Sequence, residues 1–472
     1  MNYLEIEKKA RELRKKIAET KPVLDIKGTT YYVSADGDDN NDGLSPETAW
    51  KTLDGPYNNS DKFKPGDAVL FRCGDIFRAV EVRSRCILMK EGVTYSSFGD
   101  GPKPKLYGTF ENAALLNWKK EGDNLYSLEL GHKLDVGAVC FDEGKEWGFK
   151  LVKGRDVSTT PQIDLEFYHD IAEEKLYLCS EKGSPIERWS DIEVCPRTHI
   201  FGRLQKDVVI DGLNLKYAGG EGIGGGTLTY PGDGFAYNYV FSGFTVRNCE
   251  FGWMGGSLMG DVTKSRCRYG NGFGIWGGIK DLLIENCYFY QCFDAAITQQ
   301  FRGYIKNDNP VNIEDTVIRG CLFENNTYDY EYWLTEYTTN VTSGGEKNKD
   351  SKFRLKNLFF EDNICRLNGY GWGNQRPDRT TPACLKSWTH QNMSENFVVK
   401  NNIFDRADYY LLEIIACEDK YVPTLIGNTY CQYLGKGLIN SQGKPSMMTH
   451  EVARTKKFSN CEEDAQVCVA KW

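Results

Sequence analysis

The sequence has no long apolar run and few of the side chains that build metal sites. It contains no uninterrupted stretch of 18 apolar residues, the length that a membrane-spanning helix requires. It has only five histidines, none of them four residues from another, and no Cys-x-x-Cys pair. A structural zinc site needs ligands paired at such spacings, so we expect neither a bound metal nor another cofactor.

The sequence also lacks an excess of positive charge. Its 58 basic and 66 acidic residues give a formal net charge of −8. Nucleic acids and anionic membranes attract basic surfaces, so neither is an expected partner. The oligomeric state is left open by these features.

A secretion signal is not expected, because the first 20 residues are charged throughout and contain no apolar core of the necessary length. They predict an amphipathic helix, with Leu4, Ile6, Ala10, Leu13 and Ile17 near one face. We therefore expect a cytoplasmic protein whose 16 cysteines are thiols.

Glycine is abundant, with 48 residues, and from about residue 205 a short pattern recurs. Each copy has an apolar residue, a few polar or small residues, a Cys, Asn or Leu, and then an aromatic or aliphatic residue. The aligned residues are separated by 36, 38, 34, 42, 39 and 26 positions. They are Leu213, Cys249, Cys287, Cys321, Asn363, Asn402 and Asn428.

Units of strand, turn and strand with an irregular period are typical of a β-solenoid, whose insertions leave the core ladder intact. Cysteine in an inward column behaves as a small hydrophobe, and asparagine there can form a ladder of side-chain amides. We predict an all-β parallel solenoid in four segments: an N-terminal helix (1–25), the first coils and cap (26–110), an inserted antiparallel β subdomain (111–200) and the main coils (201–472).

Several stretches carry a resemblance to a known superfamily. YYVSADGDDNNDGLSPETAWKTL, GNGFGIWGG (270–278), CFDAAITQQ (292–300), YDYEYW (328–333) and GWGNQRPD (371–378) are similar to segments of the right-handed parallel β-helix, or pectate-lyase-like, superfamily. The resemblance implies an enzyme active on carbohydrates, in a branch that includes glycoside hydrolases. Sequences of that branch often carry an acidic residue within the segment matching GNGFGIW, where this chain has Gly274.

Hydrolysis of a glycosidic bond needs two carboxyl groups, one to protonate the leaving oxygen and one to act as nucleophile or to activate water. Asp294 and Glu331 follow the ladder position on consecutive coils and are our first pair. Alternation places Ala295 and Ile297 inside and Asp294 and Thr298 outside. The aromatic residues beside Glu331 are expected to raise its pKa toward the range of a general acid. Asp378 is a third candidate carboxylate.

Other residues are suited to hold a sugar, since flat aromatic rings stack on pyranoses and polar edges bind hydroxyl groups. The predicted substrate-binding residues are Trp276, Gln299, Trp372, Arg376, Trp388, His390 and Glu413.

The favoured function is hydrolysis of short oligosaccharides of plant or host origin. A polysaccharide lyase is one alternative; it would use cations such as Arg376 and Lys386 to neutralise a uronate during β-elimination. A non-catalytic carbohydrate-binding β-helix is the other.

Overall fold

A computed structural model describes residues 1–224, 240–261, 264–303, 310–339, 346–375, 381–388, 392–448, 462 and 464–471. Within these ranges, no helix is long and apolar enough to cross a membrane. Three long sheets dominate the structure, and the chain visits them in turn, which makes the fold the predicted right-handed parallel β-helix.

Each long sheet has ten strands, and nearly all pairs of neighbours are parallel. Sheet 1 consists of Thr30–Val33, Ala68–Arg72, Thr94–Phe98, Val209–Asp211, Val240–Arg247, Gly278–Glu285, Asn312–Arg319, Arg354–Glu361, Ser394–Lys400 and Thr424–Ile426. Sheet 2 consists of Ile76–Phe77, Lys105–Tyr107, Asn214–Ala218, Glu250–Met254, Tyr288–Cys292, Leu322–Glu324, Ile364–Asn368, Ile403–Ala407, Thr429–Tyr433 and Gln466–Ala470. Sheet 3 consists of Arg85–Leu88, His199–Gly202, Glu221–Gly224, Phe273–Trp276, Ala295–Gly303, Tyr328–Glu336, Ala383–Lys386, Tyr410–Ile414, Gly437–Ser441 and the antiparallel Lys444–Met447.

The shorter elements lie around these sheets. The α-helices are Tyr3–Glu19, Asp54–Asn58 and Pro185–Arg188, and the 3-10 turns are Pro46–Thr48, Ser60–Lys62, Ala113–Leu115, Asp142–Gly144, Trp372–Gln375 and Asp419–Tyr421. The strands of the insertion are Lys119–Lys120, Leu125–Glu129, Val136–Phe141, Glu146–Trp147, Phe149–Lys150, Glu166–Asp170, Lys175–Cys179 and Ile192–Pro196. They pair antiparallel, except that Phe149–Lys150 pairs parallel with Glu166–Asp170. Ser257–Leu258 and Arg268–Tyr269 form a separate antiparallel hairpin.

The predicted inward column lies at the corner between sheets 1 and 2, and all seven of its members are at most 1% exposed. The side-chain amide of Asn363 donates to Oδ1 of Asn402 at 3.1 Å, and that of Asn402 donates to Oδ1 of Asn428 at 3.0 Å. Glu462 accepts from the backbone N–H of Asn428 at 2.6 Å and closes the ladder. The amide ladder that the sequence predicts is therefore confirmed.

The residue before each column member explains why the chain can turn there. These residues have φ between +51° and +73°, the left-handed region that favours Gly, Asn and Asp. They are Gly212, Asn248, Asn286, Gly320, Asp362, Asn401 and Gly427. Each coil thus turns at a Gly, Asn or Asp, residue types that adopt a left-handed backbone conformation at little cost, and the side chain of the next residue is buried in the core.

The N-terminal helix lies on the outer face of sheet 2. Ile6, Ala10 and Ile17 are fully buried against an apolar strip of that sheet, whereas Leu4 is 59% exposed and does not belong to the buried face. The helix also pairs with the sheet through charge, since Arg14 binds Glu324. It therefore covers a strip of sheet that would otherwise be exposed to water.

The strands of the insertion, from Lys119 to Pro196, interrupt the coils between Lys105–Tyr107 and His199–Gly202. They enclose a core of their own and also hold the hairpin beside sheet 3. Asp135 accepts the backbone N–H of Leu258 at 2.6 Å, and Arg197 donates to the carbonyl of Leu258 at 2.9 Å. The insertion thereby positions one wall of the cleft described next.

Candidate active site

A cleft of about 430 Å³ lies on the outer face of sheet 3. It extends along the strands, since its lining runs from Asp294 to Arg302 on one strand segment and from Glu331 to Tyr337 on the next. Its lining residues are Met259, Cys267, Trp276, Asp294, Gln300, Arg302, Glu331, Trp333, Thr335, Tyr337, Lys347 and Trp388. The two carboxylates predicted to form a pair therefore face the same cleft.

Glu331 is only 5% exposed, and its carboxylate accepts hydrogen bonds from three directions. The hydroxyl of Thr298 donates to Oε2 at 2.6 Å, the amide of Gln300 donates to the same oxygen at 3.3 Å, and the indole of Trp388 donates to Oε1. Donors of this kind favour the ionised form of a carboxylate. The surroundings of Glu331 are thus hydrogen-bonding rather than purely apolar, because Tyr330 and Tyr332 point into the core.

A single row of side chains crosses four neighbouring strands of sheet 3. Parallel register aligns Thr298 with Glu331, Glu331 with Lys386, and Lys386 with Glu413. Lys386 is 1% exposed, forms an ion pair with Glu413, and its Nζ lies 3.9 Å from the ring centre of Trp388. A buried cation therefore lies between two carboxylates and beneath an aromatic wall of the cleft.

Asp294 is 8% exposed and lies just before the strand Ala295–Gly303, at the end of the cleft nearest the hairpin. Its backbone is fixed on both sides: its N–H donates to the carbonyl of Gly270 at 3.1 Å, and its carbonyl accepts from Tyr328 at 2.9 Å. It precedes Thr298, the register partner of Glu331, by four residues, which is roughly 13 Å along an extended strand. The two carboxylates are therefore staggered along the cleft.

Trp276 is 38% exposed at the cleft, and its indole N–H donates to Oε1 of Glu221 at 3.0 Å. The carboxylate of Glu221 occupies the space beside Gly274, where any Cβ would collide with it. Gly224, which lies on the same strand as Glu221, also leaves room for this carboxylate. A carboxylate therefore does lie beside position 274, but it comes from another coil.

Two of the predicted substrate contacts are buried and do not line the cleft. Gln299 is fully buried, accepts from the hydroxyl of Tyr330 at 2.5 Å and donates to Thr316 at 3.1 Å. The alternation that turns Ile297 inward also turns Gln299 inward, so its neighbour Gln300 faces the cleft instead. Trp372 is 1% exposed and packs among other aromatic residues, where it cannot stack on a sugar.

The remaining candidates divide into two groups. Glu413 lies two strands beyond Glu331 and is engaged by Lys386, so it adjoins the cleft lining without forming part of it. Arg376, Asp378 and His390 lie outside the described residues. Among the described residues, no cluster of three His, Cys, Asp or Glu side chains could hold a metal ion.

Sequence reasoning missed Trp333, Arg302, Lys347 and Glu221. Arg302 is four residues from Thr298, and Trp333 is two residues from Glu331, so each faces the same side of its strand as that residue. The alternation of side chains along a strand was enough to predict this. Lys347 lies outside the long strands, in an isolated bridge with Tyr337, and Glu221 lies in a glycine-rich stretch with little periodicity of its own. For these two, no sequence signal indicated the cleft.

No protein-family model matches the sequence. A segment of 165 residues, 34% of this chain and 9% of the other protein, is 30% identical to a lacto-N-biosidase of Bifidobacterium longum subsp. longum. The chain therefore spans less than a tenth of that relative's length.

Solved structures with a similar chain path share little sequence with the protein. A glycoside hydrolase is 10% identical, with 93% of this chain and 96% of that one covered and a TM-score of 0.46. A complex of XylC with xylose is 12% identical, with 89% and 71% covered and a TM-score of 0.44. The pectate lyase Pel9A is 10% identical, with 88% and 73% covered and a TM-score of 0.43.

Proposed function

We propose that the protein is a glycoside hydrolase that cleaves an oligosaccharide bound in the cleft on sheet 3. The observation that carries this proposal is that Asp294 and Glu331 line one cleft together with Trp276, Trp333 and Trp388. Two carboxyl groups supply the acid and the base or nucleophile, and indole faces supply stacking surfaces for pyranose rings. The lacto-N-biosidase segment agrees with this reaction class.

The contacts suggest a role for each carboxylate. Glu331, held by three donors, is the group that remains ionised and activates water or attacks the anomeric carbon. Asp294, the second carboxylate of the cleft lining, is the proton donor to the leaving oxygen.

The stagger of the two residues favours inversion at the anomeric carbon. Their backbones are offset by roughly 13 Å along the strands, and the reach of both side chains reduces this by only a few ångströms. The expected carboxyl separation is nearer the roughly 6.5–9.5 Å of inverting enzymes than the roughly 5–5.5 Å of retaining ones. NMR of the first-formed product of a cleaved substrate reads out the anomer directly.

The test is turnover by the wild type and by Asp294→Asn and Glu331→Gln, on a panel of aryl glycosides and oligosaccharides that includes substrates of lacto-N-biosidases. Each substitution is expected to lower kcat by at least about 1,000-fold while the melting temperature stays close to that of the wild type. Glu314→Gln, on the outer face of sheet 1, is a matched control that should keep full activity. Wild-type turnover in both cleft variants would exclude the proposed pair.

A polysaccharide lyase is the second candidate, because Arg302 and Lys347 bring positive charge to the same cleft. A lyase would release an unsaturated uronide, which absorbs in the ultraviolet, from a uronic acid polymer. Appearance of that product, with no hydrolysis of neutral oligosaccharides, would replace the hydrolase proposal with this one. Binding of a glycan without any turnover would instead support the non-catalytic alternative.

Cytoplasmic localisation and an oligosaccharide as the partner remain parts of this proposal. Fractionation of the native cells, with detection of the full chain, tests the first of them.

A further inference from the structure

Behind the cleft, Glu221 forms the centre of a buried polar cluster. Its Oε1 accepts from the indole of Trp276 at 3.0 Å and from the side-chain amide of Asn271 at 3.1 Å. Nδ1 of His199, on the neighbouring strand of sheet 3, lies 3.4 Å from Oε2. The residue is 1% exposed, so these partners replace the water that an exposed carboxylate would bind.

The cluster keeps Glu221 charged in spite of its burial. Burial by itself raises the pKa of a carboxylate, but the contacts with His199, Trp276 and Asn271 outweigh it, so the pKa of Glu221 lies below its ordinary value. A buried charge is costly unless its hydrogen-bonding capacity is met, and hydrogen bonds to a charged acceptor are stronger than those to a neutral one. The carboxylate is thus a strong and well-fixed acceptor.

Two of the side chains that contact Glu221, Trp276 and Asn271, connect it to the cleft. Trp276 forms part of the cleft lining itself. Asn271 uses its amide nitrogen for Glu221 and its Oδ1 to accept the backbone N–H of Ala295 at 3.1 Å, so its amide plane is fixed from both ends. Ala295 directly follows Asp294.

The glycines around Glu221 show that the fold makes room for this arrangement. A Cβ at Gly224 or at Gly274 would overlap the carboxylate. Neither of these two glycines has a positive φ, so their role is to leave space rather than to permit a turn. The Glu221 side chain occupies the space that these two glycines leave.

We propose that Glu221 is a positioning residue for the glycan cleft: it orients Trp276 as a stacking surface for a sugar ring and, through Asn271, braces the backbone next to Asp294. The inference rests on the proposed function, since it assigns a role within the same cleft. A half-exposed indole is free to change rotamer unless its N–H is held, and a fixed ring binds a sugar at a lower entropic cost.

The experiment compares Glu221→Leu, which removes every acceptor, with Glu221→Gln, which keeps Oε1 as an acceptor for Trp276 and Asn271. The leucine variant should raise KM for an oligosaccharide about 10-fold or more, the effect of losing a hydrogen bond to a charged group, and also lower kcat. The glutamine variant should restore KM to within about threefold of the wild type. A general loss of stability would not separate two variants in this way.

Two further measurements protect the test against misfolding of the leucine variant. Trp276→Phe keeps an aromatic face but removes the N–H donor at a half-exposed site, and it should raise KM about 5–10-fold with little change in melting temperature. In ¹H–¹⁵N spectra, the indole signal absent from Trp276→Phe identifies Trp276. That signal should shift in both Glu221 variants, and further in the leucine variant.

The outcomes separate this inference from the proposed function. A wild type that neither turns over nor binds any glycan overturns the proposed function, and this inference with it. A wild type that is active, with wild-type KM in Trp276→Phe or in a folded Glu221→Leu, overturns the inference alone. Raised KM in Trp276→Phe and Glu221→Leu, with rescue by glutamine, supports it.

Discussion

Glu331 accepts a 2.6 Å hydrogen bond from the hydroxyl of Thr298, its register partner on the adjacent strand. Thr298 is fully buried, so this donor is fixed in place below the cleft. Thr298→Val has nearly the same shape but no hydroxyl. We expect it to lower kcat about 10-fold or more, because a hydrogen bond to a charged group is lost.

Thr298→Ser keeps the hydroxyl and serves as the control, with kcat expected within about threefold of the wild type. Steady-state kinetics on the substrate identified in the panel checks both variants. Equal kcat in the valine and serine variants would show that the Thr298 hydroxyl has no part in the reaction.

The ion pair of Lys386 with Glu413 is expected to contribute to stability, because both partners are largely shielded from water. Lys386→Met should lower the free energy of unfolding by about 3–5 kcal/mol, since it leaves Glu413 without its cation. Lys386→Met combined with Glu413→Leu should recover most of that loss. Urea unfolding measures all three proteins.

Lys420 and Glu418 provide a matched exposed pair, 3.1 Å apart, with about 60% of each side chain exposed. Lys420→Met should change the free energy of unfolding by less than about 1 kcal/mol. A similar loss for Lys386→Met and Lys420→Met would contradict the assignment of Lys386 as a buried charge.

Asp329 should make stability depend on pH. Burial raises its pKa to about 8, although hydrogen bonds from Asn326, Asn368 and Cys365 act in the opposite direction. Between pH 4 and 8 the folded protein keeps a proton that the unfolded chain has released. The free energy of unfolding is therefore highest at low pH with respect to Asp329. It falls as the pH rises toward 8, by up to about 1.4 kcal/mol per pH unit.

Asp329→Asn is neutral at every pH and isolates this contribution. Urea unfolding at pH 5.5, 6.5 and 7.5 should show the free energy of unfolding of the wild type falling relative to that of the asparagine variant. Parallel pH profiles for the two proteins would mean that Asp329 is ionised in the folded state.

Asn402 is the central rung of the amide ladder. It accepts from the backbone N–H of Asn363 at 3.0 Å and donates to the carbonyl of Phe360 at 2.8 Å. Asn402→Ala should lower the free energy of unfolding by about 3 kcal/mol, because buried donors and an acceptor lose their partners. Asn401→Gly, at the exposed neighbouring residue with φ +56°, should cost less than about 1 kcal/mol. Similar losses in urea unfolding would argue against the ladder as a stabilising element.

The interior of the β-helix was predictable because its pattern is local. A residue that tolerates a left-handed backbone, followed by a small or amide side chain, marks each corner within a few positions of sequence, as at Asn401 and Asn402. Parity along a strand is equally local, which is why Thr298 faces outward as expected. The same parity, carried two residues from Ile297, would have excluded Gln299 as a substrate contact.

The composition of the cleft depends on which residues of successive coils lie side by side in sheet 3. No short sequence pattern indicates that alignment. Glu331, Lys386 and Glu413 form one row although 55 and 27 residues separate consecutive members, because coil lengths vary with the size of each loop. Glu221 reaches the neighbourhood of Trp276 from the preceding coil for the same reason.

The sequence by itself determined the solenoid, its inward ladder, the helix at its N-terminus and the consecutive coils that carry Asp294 and Glu331, since each depends on short-range periodicity. Only the tertiary structure decided that these two carboxylates share a cleft, that Trp372 is buried and that Glu221 fills the space beside Gly274. Those outcomes follow from how coils of unequal length stack and from where the inserted subdomain packs, both set by contacts between residues distant in sequence.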